Sequence, residues 1–268
     1  MKIGFIGAGN MASAMISGIV NSKILDPSNI IASAKTQKTL NRVKNQFNIK
    51  TTLDSVEVVK NSDIVIVAVK PYIYDTVLND VKDYITNEKI IVTIAAGKTI
   101  KSVEGVIGYD KKIIRTMPNT PSLVNCAMSS ISKNKNISDE DLEMVKTIYD
   151  SFGKSEVIEE KLIDAVIGAS GSSPAYFFMM IEAMADCAVS YGMKREMAYE
   201  FVAQAMMGSA KMVLETNIHP AQLKDMVCSP SGTTIEGVKT LEEEGFRKAI
   251  IKGMSCVIEK SIQMNDKD

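Results

Sequence analysis

Short runs of apolar residues recur through the first 158 residues, and more polar stretches with helical spacing separate them. A continuous apolar, β-branched run is typical of a parallel strand that is covered on both faces. We predict strands over residues 3–6, 29–33, 63–69, 89–94 and 112–116, with further candidates at 124–132 and 155–158. The predicted helices between them lie at 12–20, 39–47, 71–84, 99–107 and 139–152. This alternation predicts an α/β fold with a doubly wound, mostly parallel sheet.

After residue 158 the β pattern stops and only helical spacing continues. In the stretches 174–191 and 195–215 the polar positions form one narrow stripe, so each helix is apolar nearly all round and has to be buried. A small helical domain cannot cover both helices, and we therefore predict an extensive homodimer interface. Burial in a membrane is the alternative, but charges that recur at each turn oppose it. The predicted domains are 1–158 and 159–268.

The sequence Gly7-Ala8-Gly9-Asn10-Met11-Ala12 lies between the first predicted strand and the first predicted helix. Between a strand and a helix, a GxGxxG/A pattern indicates a phosphate-binding loop, because its glycines permit a tight turn and let a pyrophosphate approach the backbone. The helix then presents unpaired N–H groups and its positive dipole end to the phosphates. The pattern predicts a Rossmann-type dinucleotide site. A secretory signal with a cleavage site at 12–14 is the alternative, opposed by the polar and glycine interruptions of the apolar run.

Other small or polar residues follow the predicted strands at the same edge of the sheet. Ligands of open α/β sheets bind beyond the carboxyl ends of the strands. Each of these segments alone is also explained as a plain turn, but their agreement on one edge favours a cofactor site. The predicted cofactor-binding residues are Gly7, Ala8, Gly9, Asn10, Met11, Ser33, Lys35, Thr36, Ser55, Ala68, Val69, Lys70, Pro71, Ala95, Ala96, Gly97 and Asn119.

The end of the second strand indicates which dinucleotide is bound. An Asp or Glu there selects NAD through the ribose 2′-hydroxyl, but residues 32–36 read Ala-Ser-Ala-Lys-Thr. Hydroxyl groups beside Lys35 suit a 2′-phosphate, so we expect NADPH, with NADH as the alternative cofactor. The competing interpretation is that Lys35 is a solvated surface lysine.

Composition narrows the classes of function. A net charge of −1 over 268 residues gives no electrostatic basis for a nucleic-acid or membrane-surface partner. The 4 cysteines contain no CxxC pair and His219 is the single histidine, so we expect no metal site. Reduced thiols favour a cytoplasmic enzyme. The 17 methionines are interpreted as packing residues between helices.

A second turn, Ser229-Pro230-Ser231-Gly232-Thr233-Thr234, precedes a predicted helix at 235–242. Free backbone N–H groups at such a helix start can hold a carboxylate, and an ordinary helix cap is the alternative. The turn at 170–176 is either a hinge or part of a cleft. For His219, which stands before a short helical stretch at 221–227, we expect a capping or packing role rather than catalysis.

These motifs together resemble the pyrroline-5-carboxylate reductase family over essentially the whole chain. The resemblance rests on residues 7–11, 68–71 and 117–121, and most of all on His219-Pro220-Ala221-Gln222-Leu223-Lys224-Asp225 followed by 229–234. It implies a Rossmann domain followed by an all-α helical dimerisation and substrate domain, with homodimers that often assemble into a decamer. It also implies reduction of a cyclic imino acid, 1-pyrroline-5-carboxylate, to L-proline by NAD(P)H in the final step of proline biosynthesis.

The resemblance further implies roles for single residues. In the family the corresponding turn binds the substrate carboxylate through backbone N–H groups, which assigns substrate binding to Ser229, Gly232, Thr233 and Thr234. Thr234 is the expected catalytic residue, as a proton donor or as a hydrogen-bond partner of the ring nitrogen. Ser231 and Ser173 stand where the family usually has glycine. If either position requires a positive φ, serine strains the turn.

Few strong acids or bases follow the predicted strands, and an imine substrate tolerates this. A protonated imine carbon is already electrophilic, so hydride transfer needs orientation more than acid catalysis. A β-hydroxyacid dehydrogenase is the first alternative, since such enzymes also place a Rossmann domain before a helical domain and use a lysine, here Lys70, as acid and base. The second alternative is a non-catalytic dinucleotide-binding dimer, which is supported only by the serines at positions 173 and 231.

Overall fold

The computed structural model of the chain describes residues 1–265. Its contacts define two compact units, of which the first is Met1–Ser172 together with the chain from Val257 onward and the second is Ser173–Cys256. The predicted domains 1–158 and 159–268 divide the chain at a different place, and as domains they stay a prediction.

Eight strands form one sheet in the first unit: β1 Ile3–Ile6, β2 Ile30–Ser33, β3 Lys50–Thr52, β4 Ile64–Val67, β5 Ile90–Thr93, β6 Lys112–Met117, β7 Ala127–Lys133 and β8 Gly153–Val157. Along the sheet their order is β3-β2-β1-β4-β5-β6-β7-β8, and neighbours are parallel except for the antiparallel pair of β6 and β7. The predicted doubly wound, mostly parallel sheet is confirmed. β3 was not predicted, because this short polar edge strand has no apolar run to reveal it.

The helices of the first unit are α1 Asn10–Asn21, α2 Gln37–Phe47, α3 Ser55–Lys60, α4 Pro71–Val81, α5 Ile100–Ile107, α6 Asp139–Asp150 and α7 Ile163–Val166. Thr36, Asp54, Thr99 and Ser138 cap four of them by accepting a backbone N–H. Helices α1, α4 and α7 have no side-chain cap, and the N-cap of α1 is a glycine, Gly9.

Separate apolar cores cover the two faces of the sheet. Alternate residues of β4 divide between them, so that Ile64 and Ile66 belong to one core while Val65 and Val67 belong to the other. Helices α1, α2 and α6 pack in the first core, and α3, α4 and α5 pack in the second. The central strands are therefore buried on both faces, which is why their sequences are continuous apolar runs.

The second unit is helical, as predicted, with α8 Ser173–Ser190, α9 Arg195–Thr216, α10 Pro220–Val227, α11 Thr233–Glu243 and the first part of α12 Phe246–Asn265. Burial within α9 is limited to Ala198, and α8 buries few residues. Large apolar side chains are exposed instead, among them Phe178, Met179, Phe201 and Leu214. An exposed apolar surface of this kind marks an interaction site.

Candidate functional site

An open cleft lies at the edge of the sheet where β1, β4, β5 and β6 end. Its volume is about 770 Å³, which falls within the usual range for ligand sites. The glycine loop (residues 7–12), the segments that follow the strands and the turn before α8 all contribute residues to its lining. The lining residues are Gly7, Ala8, Gly9, Asn10, Met11, Ala34, Lys35, Thr39, Ala68, Val69, Lys70, Pro71, Ile73, Ile94, Ala95, Ala96, Met117, Pro118, Thr120, Ile167, Gly171 and Ser172.

The glycine loop turns tightly against the end of β4. Gly7 has a φ of +99°, and its N–H donates to the Ser33 carbonyl over 3.0 Å. A Cβ at this position would lie 2.7 Å from the carbonyl oxygen of Ala68. The turn therefore requires glycine both for its dihedral angle and for its space.

Helix α1 begins at the cleft with unpaired amides. Its N-cap residue, Gly9, is extended, and the first backbone bond runs from the Ser13 N–H to the Gly9 carbonyl over 2.9 Å. The N–H groups before Ser13 stay available for a ligand. A Cβ added at Gly9 would meet no atom within 4 Å, so the missing side chain leaves open space. This space and the positive end of the helix dipole fit a pyrophosphate.

Most of the predicted cofactor residues lie together in this cleft. Those that line it are Gly7, Ala8, Gly9, Asn10, Met11, Lys35, Ala68, Val69, Lys70, Pro71, Ala95 and Ala96. Those that do not are Ser33, Thr36, Ser55, Gly97 and Asn119.

The hydroxyl groups near the end of β2 are already hydrogen-bonded within the protein. Ser33 is buried, with its Oγ 3.1 Å from the Oγ of Ser55. Thr36 caps α2 by accepting the Thr39 N–H over 3.3 Å. Lys35, in contrast, is exposed and lines the cleft. Contact of Ser33, Thr36 and Ser55 with the cofactor stays a prediction.

Gly97 and Asn119 are fixed by neighbouring protein atoms. Gly97 has a φ of +80°, and a Cβ there would lie 3.2 Å from the Cβ of Met264. The Asn119 amide nitrogen donates to the Ser170 carbonyl over 3.0 Å, and its amide oxygen accepts the Met128 N–H over 3.0 Å. Asn119 thus holds the segment after β6 in place, and its own contact with a cofactor stays a prediction.

Several lining residues were not among the predicted cofactor set: Ala34, Thr39, Ile73, Ile94, Met117, Pro118, Thr120, Ile167, Gly171 and Ser172. The rule of carboxyl ends could have supplied Met117 and Pro118, since Met117 is the last residue of β6 and Pro118 follows it directly. Gly171 and Ser172, in the turn that the sequence presents as a hinge or as part of a cleft, line the cleft. The boundary between the two units also falls directly after Ser172, so a hinge role stays a prediction. No local sequence pattern marks Ile167 as a lining residue, because its position at the cleft depends on how the chain after β8 packs against the sheet.

Buried polar bonds hold the ends of β5 and β6 beneath the cleft. The Tyr149 hydroxyl lies 2.7 Å from the Thr116 Oγ1, which donates to the Thr93 carbonyl over 3.3 Å. Burial raises the pKa of Tyr149, so its phenol stays protonated and can donate. Arg115, also buried, pairs with Glu160 over 2.9 Å. These bonds fix the strands whose following segments line the site.

In the second unit the turn before α11 has the geometry of an uncapped helix start. The Gly232 N–H donates to the Ser229 carbonyl over 3.1 Å, and α11 begins at Thr233 with no side chain capping it. Ser231 has a φ of +57°, so serine occupies the left-handed region here. Ser173 opens α8 and has no positive φ. The strain considered for both serines therefore applies to Ser231 alone.

His219 is the N-cap of α10. Its Nδ1 accepts the N–H of Ala221 over 3.2 Å, and Pro220 fills the first position of the helix. The predicted capping role is confirmed.

Residues 1–265 contain no group of three or more His, Cys, Asp or Glu side chains that could hold a metal ion. No helix in that same range is long and apolar enough to cross a membrane.

Two family models match different parts of the chain. A family model described as pyrroline-5-carboxylate reductase dimerisation matches residues 160–264. A second model, described as NADP oxidoreductase, coenzyme F420-dependent, matches residues 2–97.

Similar proteins match the chain over nearly its full length. Pyrroline-5-carboxylate reductase of Escherichia coli K12 is 48% identical over 98% of both chains. The enzyme of the same name from Methanosarcina acetivorans is 42% identical over 99% of this chain and 98% of its own. The crystal structure of Plasmodium falciparum pyrroline carboxylate reductase with NADP bound has a TM-score of 0.92 at 33% identity, covering 99% of this chain and 98% of its own.

Proposed function

Because this chain belongs to the pyrroline-5-carboxylate reductase family, we propose that it reduces 1-pyrroline-5-carboxylate to L-proline, the final step of proline biosynthesis. NADPH, when bound, supplies the hydride. The imine carbon accepts the hydride and the ring nitrogen takes up a proton, so that one C–H and one N–H bond form as the C=N double bond is lost.

The observation that carries this proposal is the chemistry of the cleft lining. Lys35 and Lys70 are the ionisable side chains among the described lining residues, and apart from the amide of Asn10 the rest of the surface is small, apolar or hydroxyl-bearing. A ketone would need a proton donor beside its oxygen, whereas a protonated imine needs to be held in line with the hydride donor. The cleft offers a surface for orientation rather than an acid–base pair.

The dinucleotide would lie along the cleft from α1 to the ends of β4, β5 and β6. Backbone N–H groups of Gly9, Asn10 and Met11 bind the pyrophosphate, since they precede the first bonded amide of α1. Lys35 pairs with a 2′-phosphate, which favours NADPH over NADH. Small residues at Ala95 and Ala96 leave space for the nicotinamide ring.

The substrate carboxylate would bind at the start of α11. We assign its binding to Ser229, Gly232, Thr233 and Thr234 at the uncapped start of α11. The Gly232 N–H is bonded to the Ser229 carbonyl, so the amides that follow it are the ones offered to the carboxylate. Thr234 is the proposed partner of the ring nitrogen. The reaction requires this turn and the nicotinamide to meet in the working assembly, so the proposal includes that assembly.

The assembly we propose is a homodimer formed through the helical unit. Phe178, Met179 and Phe201 are more than half exposed in the single chain, and a second copy of the same helices would cover them. The family model that matches this unit is described by its dimerisation. Assembly of dimers into a decamer and a cytoplasmic location are parts of the same proposal.

The test is a turnover assay on the purified full chain. Oxidation of NADPH is followed with 1-pyrroline-5-carboxylate, with 1-pyrroline as a matched imine that lacks the carboxylate, and with a β-keto acid. We expect proline as the product and a kcat/KM at least about tenfold lower for 1-pyrroline, because the carboxylate contact at α11 is lost.

Two results would overturn the proposal. Turnover of the keto acid alone would identify a β-hydroxyacid dehydrogenase in which Lys70 acts on the substrate oxygen. Tight NADPH binding without turnover of either imine would identify a dinucleotide-binding protein that has no reductase activity.

A further inference from the structure

The side chain of Arg42 contacts the glycine loop from a helix other than α1. It lies on α2, and its Nη2 donates to the Ala8 carbonyl over 2.9 Å and to the Ser13 Oγ over 3.3 Å. Arg42 itself does not line the cleft, whereas Ala8 does. We infer that Arg42 is a positioning residue that aims the phosphate-binding amide of Gly9.

The planar peptide bond transmits this contact. The Ala8 carbonyl and the Gly9 N–H belong to one trans peptide unit and point in opposite directions. Holding the Ala8 oxygen from the α2 side therefore turns the Gly9 N–H to the other side. The Ile6–Gly7 peptide at the start of the loop is fixed as well, because the Gly7 N–H donates to the Ser33 carbonyl over 3.0 Å. Arg42 thus completes the restraint on a loop that has no side-chain cap of its own.

The chemistry of the guanidinium suits this task. It is charged at all accessible pH values, it donates without accepting, and its hydrogen bonds to carbonyls are stronger than those of neutral donors. A loop carbonyl that turned toward the ligand would repel a pyrophosphate. The contact with Arg42 keeps this carbonyl occupied on the side away from the amide that binds.

The contact is separable from the stability of the fold. Helix α2 is anchored by Leu40, Val43 and Phe47, which are buried in the core. Arg42 is on the exposed side of the same helix. Removing its side chain therefore leaves α2 packed and releases the loop alone.

This inference rests on the proposed function and makes a prediction that distinguishes Arg42 from Lys35. The pyrophosphate is common to NADPH and NADH, so loss of Arg42 weakens both cofactors by the same factor. Lys35 reads the 2′-phosphate under the proposed function, so its loss weakens NADPH alone.

The experiment measures Kd by nicotinamide fluorescence for NADPH and NADH, without substrate, in the full-length wild type and in Arg42→Met, Lys35→Met and Lys44→Met. Lys44 is the matched control, a cation on the last turn of α2 whose side chain makes no hydrogen bond or ion pair with residues 1–265. We expect Arg42→Met to raise both Kd values about tenfold. Lys35→Met should raise the value for NADPH alone, and Lys44→Met should change neither value more than twofold.

Turnover with 1-pyrroline-5-carboxylate gives the second measurement. Arg42→Met should raise the KM for NADPH about tenfold and leave kcat within twofold, since at saturation the loop is again held by the cofactor. A loss confined to NADPH would show that Arg42 binds the 2′-phosphate, and unchanged Kd values for both cofactors would show that the contact does not aim the loop. If wild type binds both cofactors but reduces no imine, the proposed function fails while the Kd comparison still tests Arg42.

Discussion

Two helices of this protein begin in nearly the same way although they belong to different units. The N-cap of α1 is Gly9, with φ −76° and ψ −168°, and the N-cap of α11 is Gly232, with φ −82° and ψ 169°. Neither helix has a side-chain cap, and a residue with positive φ comes shortly before each glycine, Gly7 at +99° and Ser231 at +57°. Both starts therefore present N–H groups in a form that suits an anion.

The two starts differ in what surrounds the capping glycine. A Cβ at Gly9 would meet no atom within 4 Å, whereas a Cβ at Gly232 would lie 2.3 Å from the Oγ of Ser229 and 3.2 Å from its carbonyl oxygen. Gly9 keeps space open beside the cleft, while Gly232 keeps its own turn closed. A glycine N-cap without a side-chain cap can thus either leave space for a ligand or close a local turn. Substitutions at the two glycines distinguish these roles.

Replacing Gly9 by valine has the largest expected effect. The new side chain occupies the open space beside the free amides of α1, so a pyrophosphate cannot approach them. We expect the Kd for NADPH to rise at least ~100-fold, which corresponds to about 2.7 kcal/mol. The Tm should fall by no more than about 4 °C, because the added Cβ meets no atom within 4 Å and the loss of a glycine N-cap costs about 1 kcal/mol. Nicotinamide fluorescence and a thermal melt measure the two quantities.

Gly7→Ala is the control for this prediction, because it adds a methyl group to the same loop where there is no space for it. The added Cβ lies 2.7 Å from a backbone oxygen at a φ of +99°, so we expect the free energy of unfolding to fall by about 1–3 kcal/mol. Two results would refute the distinction between open space at Gly9 and closed space at Gly7. One is a Gly9→Val variant that binds NADPH with the wild-type Kd, and the other is a Gly9→Val variant whose Tm falls as far as that of Gly7→Ala.

Replacing Gly232 by alanine tests the second helix start. The methyl group displaces Ser229 and changes the shape of the turn, so the amides no longer converge on a carboxylate. We expect the KM for 1-pyrroline-5-carboxylate to rise about tenfold, with the Kd for NADPH within twofold of wild type. Steady-state kinetics at saturating NADPH measure the first, and a fluorescence titration measures the second.

Gly237→Ala provides the matched control on the same helix. A Cβ at Gly237 meets no atom within 4 Å, and alanine favours the helix by about 1 kcal/mol over glycine. Its KM should equal that of wild type. An equal rise of KM in both variants would mean that any change in α11 disturbs the substrate site, and that the contact with Ser229 has no special part in it.

Much of the first helix start was predictable from sequence, because its signal is local. A buried strand, the spacing of Gly7, Gly9 and Ala12, and an amphipathic helix follow one another directly. The carboxyl-end rule then placed the segments at Lys70, Ala95 and Asn119 on one edge. The rule locates the backbone and leaves the direction of the side chain open, which is why Asn119 turns its amide into the protein.

The parts that sequence could not predict depend on packing between distant segments. Arg42 meets Ala8 across 34 residues of sequence, and no spacing pattern marks that contact. For Ser231 the sequence predicts strain only if the turn requires a positive φ. The structure shows that positive φ, which depends on how the turn folds. Residue identity and local order therefore predict the two helix starts better than the groups that support them.

Replacing Ser231 by glycine has the smallest expected effect. The left-handed conformation costs a residue with a Cβ about 1 kcal/mol, and glycine removes that cost. Glycine also gives the unfolded chain about 0.4–1 kcal/mol more conformational freedom, so the net gain is about 0.5 kcal/mol or less. We expect a Tm about 1 °C above wild type, measured by scanning calorimetry, with an unchanged Kd for NADPH.

Ser231→Ala separates strain from hydroxyl chemistry at this position. Alanine keeps the Cβ and therefore the cost of a φ of +57°, but it lacks the hydroxyl. Ser231→Gly should melt above Ser231→Ala, because the two variants differ in the strained turn and both lack the serine oxygen. If Ser231→Ala instead melts above Ser231→Gly, by the ~0.4–1 kcal/mol that the freedom of the unfolded glycine chain alone predicts, the left-handed residue carries no strain.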